Sequence, residues 1–148
     1  MDETVTIFDL MGGKKVLEQK VDTDLKWHEM IKKGLPTDSL HFMVKNVGLL
    51  SDKQNFKIAF GMSPRTSQRK KAGVVERLSP QQSGRAWKFA EVLAKATDVF
   101  GSQAEAETWL TRPAMALDRK TPLELLDTAA GQQMVDDLLT RLDYGVYT

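Results

Sequence analysis

Cysteine is absent from the 148-residue chain. That excludes disulfides, thiolate metal sites and a cysteine nucleophile. Histidine is scarce, with His28 and His41 the two present. A zinc site would need carboxylates for most of its ligands, and no cluster with such spacing is visible. No apolar run reaches the ~18 residues that a membrane-spanning helix requires. The opening Met1-Asp2-Glu3 is acidic and lacks the basic-then-apolar order of a secretory signal. A phosphate-cradling loop is also missing, because Gly12-Gly13-Lys14-Lys15 does not have the Walker spacing. Asp136-Asp137 is a carboxylate pair, but adjacent helical residues point about 100° apart, which fits a solvated face better than an acid–base pair. Thr23-Asp24, His28 and His41 form no visible nucleophile–base arrangement. The expectation is a cytoplasmic chain with no cofactor, no metal and no membrane contact. It is not an enzyme, and its work is done by surfaces.

What is present points to helices. The composition, with 41% hydrophobic and 28% charged residues, is that of an ordinary folded protein. Capping signals recur. Ser51-Asp52-Lys53-Gln54 reads as a Ser51 N-cap with Gln three residues on, and Ser63-Pro64 sets a cap before a proline at the first helical position. Ser79-Pro80-Gln81-Gln82, Ser102-Gln103-Ala104-Glu105 and Thr121-Pro122-Leu123-Glu124 repeat the pattern. These signals predict an all-α protein from about residue 25 onward. Ala86, Phe89, Ala90, Leu93, Ala96 and Phe100 form one apolar stripe; Met134, Val135, Leu138, Leu139 and Leu142 form another. Both read as core. Thr4–Phe8 is open between a short strand, a frayed arm and a helix lead-in.

Charge is distributed unevenly. Residues 1–73 hold 13 Lys/Arg against 9 Asp/Glu, and residues 74–148 hold 8 against 11. The front half can approach a polyanion and the back half is repelled by one. The basic run ends at Ala72-Gly73 and a new helix opens at Ser79-Pro80, so the expected division is 1–73 and 74–148.

Within the front half, residues 51–71 read helix, tight turn, helix. Gly61 supplies the positive φ of a sharp turn, Met62 tucks between the helices, and Ser63 caps the second. That second helix carries Arg65, Thr66, Gln68, Arg69, Lys70 and Lys71. Arg and Gln match guanine and adenine edges in the major groove; Ser, Thr and Lys suit phosphates. The alternative is a solvated basic helix. The spacing Ala59-Phe60-Gly61-Met62-Ser63-x-x-Thr66 resembles helix-turn-helix regulators of the Xre (Cro-like) type, although Lys57 and Ser67 replace the small and the apolar residue usual there. The expected DNA-contacting set is Ser63, Arg65, Thr66, Gln68, Arg69, Lys70 and Lys71.

In the back half, Phe100-Gly101, Trp109-Leu110, Pro113 and Leu117 precede Thr121-Pro122-Leu123-Glu124-Leu125-Leu126-Asp127-Thr128 and Gly131. Val135, Leu138-Leu139, Arg141-Leu142 and Tyr144-Gly145-Val146 follow. On their own these residues read as core: Thr121 caps a short helix and Thr128 the next, Trp109 packs against the 83–100 helix, and Gly131 admits the close approach of another helix. Their order resembles the toxin-binding domain of the Xre/MbcA/ParS antitoxins, most specifically in Pro-Leu-x-Leu-Leu-x-Thr-x-x-Gly. Gly34-Leu35-Pro36 and Gly12-Gly13 look like the front halves of the same proteins.

That resemblance implies an antitoxin of a type II toxin–antitoxin system. The implied partners are a RES-type toxin that resembles ADP-ribosyltransferases and degrades NAD, operator DNA for autoregulation, and a second copy of the chain in a homodimer. It also implies that the C-terminal segment plugs the toxin's NAD pocket. The matching residues are Arg141, Tyr144, Gly145, Val146, Tyr147 and Thr148: two rigid aromatics, a glycine that frees the backbone, and a terminal carboxylate. Taken without the resemblance, the same tail reads as an exposed terminus. The competing function is a helix-turn-helix transcriptional regulator whose C-terminal domain only dimerises or senses a ligand. A RES-type gene beside this one would separate the two.

Overall fold

The computed structural model describes residues 6–65 and 76–145, and the described residues form an all-α fold with no strand. Four helices precede the turn region: α1 (Ile7–Leu10), α2 (Gly13–Leu17), α3 (Asp24–Lys33) and α4 (Thr37–Asn46). A 3₁₀ segment, Gly48–Ser51, leads into α5 (Lys53–Phe60). Helical geometry opens again at Pro64. Beyond Glu76 come α6 (Pro80–Phe100), α7 (Gln103–Leu110), two 3₁₀ segments (Met115–Leu117 and Leu123–Asp127) and α8 (Ala129–Asp143).

Local chemistry explains where these helices begin. The Thr6 hydroxyl accepts the Asp9 N–H at 3.1 Å, so the described part of the Thr4–Phe8 stretch is a helix start. Ser79 and Gln82 complete a reciprocal capping box at the head of α6, with Pro80 at the first helical position. Ser102 caps α7 through the Glu105 N–H, and Thr128 caps α8 through the Gly131 N–H. Thr121 and Glu124 exchange bonds as expected, but the element they open is 3₁₀. One cap is shifted from its expected place. The N-cap of α5 is Asp52, whose Oδ1 accepts from Gln54 and Asn55; Ser51 ends the preceding 3₁₀ segment and donates to Gly48 O. Leu49 and Leu50 are both buried, and seating them fixes the phase of the chain one residue later.

α6 is the spine. It packs against α1, α3 and α5 on one side and α7 and α8 on the other. Ala86, Phe89, Ala90, Leu93 and Ala96 are fully buried, as the stripe predicted, while Phe100 is half-buried against Trp109 with ring centroids 5.4 Å apart. Phe89 meets Phe60 edge-on at 5.4 Å, and Phe60 meets Phe56 at 4.8 Å, which ties α5 to the spine. Truncating a buried phenylalanine of this kind costs ~3–5 kcal/mol. The Leu35 N–H donates to the buried Ser83 hydroxyl at 2.8 Å, fixing the α3–α4 corner on α6. Beside it, the Leu78 N–H donates to Leu35 O and the Thr37 N–H to Glu76 O, so residues 76–78 run along that corner.

Three details depart from the sequence expectation in the back half. Met134 is 39% exposed rather than core; Val135, Leu138 and Leu139 carry the buried face of α8. Gly131 does admit a close neighbour, but the neighbour is the Leu125 carbonyl of the 3₁₀ segment rather than another helix. Asp136 does not lie on a solvated face. It is half-buried and accepts from Lys88 Nζ on α6 at 2.7 Å, while the same ammonium donates to Glu91 at 2.8 Å. Burial acts to lower the Lys88 pKa, but the bonds to Asp136 and Glu91 outweigh it and hold the ammonium above its ordinary value.

Candidate functional site

The first candidate surface is the turn after α5. Gly61 takes φ 68° and its N–H donates to Lys57 O at 2.8 Å, closing the helix in a left-handed cap. Met62 is buried in the angle, and Ser63 and Arg65 are exposed on either side of Pro64, where the next helix opens. The turn therefore has the sharp geometry that the sequence anticipated. Thr66, Gln68, Arg69, Lys70 and Lys71 lie outside the described residues.

The second candidate surface is the far end of α8. It runs alongside α6 in the same direction: Lys88 meets Asp136 near the middle, and Lys95, Asp98 and Val99 face Leu139, Thr140 and Asp143 across a cleft of about 120 Å³. Arg141 is exposed in the last turn. Tyr144 caps the helix, its N–H donating to Thr140 O at 3.1 Å, and its side chain is 79% exposed. Arg141 and Tyr144, three residues apart, emerge on the same side of this end. Gly145 follows at φ 70°, a conformation that turns the chain off the helix axis at little cost for glycine. Val146, Tyr147 and Thr148 lie outside the described residues.

Two features here carried little local signal in sequence. Asp118 and Arg119 both have positive φ, closing a tight turn between Ala114 and Lys120 that holds Met115 77% exposed. Both residues are exposed, and the turn is held by backbone bonds, the Arg119 N–H donating to Ala114 O and the Ala114 N–H to Lys120 O. Arg85, on α6, reaches back across the core to the last turn of α5. Among the described residues no group of three His, Cys, Asp or Glu is placed to hold a metal, and no helix is long and apolar enough to cross a membrane.

The exposed end of α8 belongs to a small helical unit that presents Arg141 and Tyr144 outward. Residues 95–145, from mid-α6 through Gly145, match the family described as the antitoxin Xre/MbcA/ParS C-terminal toxin-binding domain. The chain is 37% identical over 73 residues to the antitoxin Xre of Yersinia enterocolitica, covering 49% of each chain. It is 31% identical over 68 residues to the antitoxin Xre of Pseudomonas putida, covering 46% of this chain and 43% of that one. The chain spans about half the length of the curated relatives it matches. Over these residues it is similar to the Xre-type antitoxins, the resemblance that its sequence order indicated.

Proposed function

We propose that the chain is the antitoxin of a type II toxin–antitoxin pair and acts by binding rather than by catalysis. The observation that carries this is the match of residues 95–145 to a toxin-binding domain family, combined with an α8 end that is built to present side chains outward. The partner we assign is a RES-type toxin. Tyr144 is the described anchor, and the residues from Gly145 to Thr148 enter the NAD pocket and exclude the substrate. A short segment leaving a packed helix loses little ordering entropy on insertion, and buried aromatics commonly dominate interface energies. Arg141 adds contact beside it.

The front surface, in this reading, binds operator DNA. The turn at Gly61–Ser63 leads into the basic run that begins at Arg65, and phosphate neutralisation by its Lys and Arg residues supplies affinity. One copy reads only a few base pairs, so the DNA-bound form is a homodimer on a two-fold operator, in the cytoplasm where the operon lies.

The test is protection in cells. The toxin encoded beside this gene is induced with the full chain, with the chain ending at Asp143, or with neither. Growth with the full chain and arrest with the truncated one is the expected result. Equal protection by both would locate neutralisation on the helices and sink the plug, while arrest in both would remove the antitoxin assignment.

A further inference from the structure

Arg85 lies in the second turn of α6, outside the segment that matches the toxin-binding family. Its guanidinium faces the end of α5, where Nη2 donates to Ile58 O at 2.6 Å and Nε donates to Ala59 O at 3.2 Å. These are carbonyls of a final helical turn, which the helix itself leaves without amide partners. A cation at a helix C-terminus is also favoured by the helix dipole. The same guanidinium lies against the turn itself: a Cβ on Gly61 would sit 2.6 Å from Arg85 Nη1. Gly61 is therefore favoured by its φ, and a side chain there would also displace the guanidinium. Among the described residues no carboxylate pairs with Arg85, so its charge is directed at the α5 carbonyls. The partners lie 26 and 27 residues away in sequence.

We propose that Arg85 is a positioning residue for nucleic-acid recognition. It locks the last turn of α5 and the Gly61–Ser63 turn to the spine helix, and so sets the angle at which the helix opening at Pro64 is presented, without touching DNA. The proposal rests on the DNA-binding reading of that helix. Base-edge readout requires the reading side chains to be held within about 0.5 Å and 10–20° of the productive geometry. A forked guanidinium reaching two carbonyls fixes both distance and angle, whereas a lysine ammonium reaches one carbonyl as a point charge.

The experiment uses the full chain as wild type, Arg85→Ala and Arg85→Lys, with two readouts. The first is amide hydrogen exchange at Phe60 and Gly61, which needs no DNA. The second is binding to a DNA fragment from the region upstream of the gene, measured across a salt series. In Arg85→Ala, exchange at both amides should rise about tenfold or more, the scale of one charge-assisted hydrogen bond. DNA affinity should fall about tenfold while the slope of log affinity against log salt stays at the wild-type value, because no phosphate contact is lost. Arg85→Lys should recover part of each effect. A slope reduced by about one unit would make Arg85 a phosphate contact and overturn the proposal; so would unchanged exchange and affinity in Arg85→Ala, or full wild-type behaviour in Arg85→Lys. Should Arg85→Ala be too unstable to measure, Arg85→Lys decides on the same two readouts. If the wild-type chain binds no such fragment, the DNA reading fails and the proposed role with it. The exchange result then decides separately whether Arg85 holds the turn.

Discussion

Gly84 and Gly131 both sit inside helices, yet changing each to alanine should move stability in opposite directions. In an open helix the change is favourable by up to ~1 kcal/mol, because alanine has less backbone entropy to lose. Gly84, in α6, is such a place: an added Cβ meets Ile31 Cγ2 at 3.9 Å, an ordinary contact. Gly131 is not. A Cβ there would lie 2.0 Å from Leu125 O and 2.9 Å from Leu125 C, and both are backbone atoms that cannot rotate aside. Restoring ordinary contact requires α8 or the Leu123–Asp127 segment to move by more than an ångström, against the Thr128 cap that bonds the Gly131 N–H at 2.9 Å. Overpacking of this kind costs ~1–3 kcal/mol, and a backbone partner places it at the upper end. After the alanine gain is subtracted, Gly131→Ala should lose about 2 kcal/mol, a fall in Tm of roughly 6–8 °C for a chain of this size. Gly84→Ala should gain about 0.5–1 kcal/mol and raise Tm by roughly 2–4 °C. Thermal unfolding followed by circular dichroism measures both. A Gly131→Ala protein as stable as wild type, or a pair that shifts in the same direction, would refute the close approach of the two segments.

Three further outcomes are expected. Lys88→Met leaves Asp136 and Glu91 facing each other without their shared ammonium and should cost of order 2–4 kcal/mol, somewhat below the value for fully buried pairs. Because the Lys88 pKa is raised in the fold, the wild-type advantage is complete below the ordinary lysine value of 10.5 and is lost as pH rises through the higher folded-state value; urea titrations at neutral and strongly alkaline pH check this. Asp52→Ala should cost ~0.5–2 kcal/mol through loss of the α5 cap, whereas Ser51→Ala should stay within ~0.5 kcal/mol, and equal effects would return the cap to Ser51. Arg65→Ala combined with Arg69→Ala should remove specific binding to the upstream DNA fragment, each base-reading contact contributing ~1–3 kcal/mol, and undiminished binding would place the DNA surface elsewhere.

Features whose cause is local were legible before the structure. The caps at Ser79, Ser102 and Thr128, the buried stripe of α6, and the Gly61 and Gly145 turns each follow from a few adjacent residues. The Ser51/Asp52 choice was not decidable locally, since both residues cap well and burial of Leu49 and Leu50 settles the phase. Periodicity placed Met134 on the inner face of α8, but it lies at the rim of an apolar face that Val135, Leu138 and Leu139 already fill. Asp136 looked solvated because its partner is 48 residues away. Arg85 gave no signal for the same reason: an arginine in a helix reads as surface until the helix packed beside it is known. At the candidate site, Gly145 and the exposed Tyr144 were readable, while the Asp118-Arg119 turn was hidden because a single aspartate is a weak turn signal and arginine gives none.

The position of α6 has a consequence for recombination and engineering. The proposed function invites chimaeras, with the DNA specificity of one chain grafted onto the partner specificity of another. A junction drawn at 73/74 would deliver the whole of α6 with the rear portion, including Phe89 shaped to Phe60, Ser83 bonded to Leu35 and Arg85 bonded to Ile58 and Ala59. A foreign front portion would then meet a face fitted to something else. Moving the junction to the exposed Gly101-Ser102 link lets α6 travel with the front portion, but it parts α6 from α7 and α8, which pack on its other side. Lys88 must then find an acidic residue at the position of Asp136 in the incoming helix. Exchange between such chains is therefore constrained less by where the two proposed activities reside than by which helix each must share.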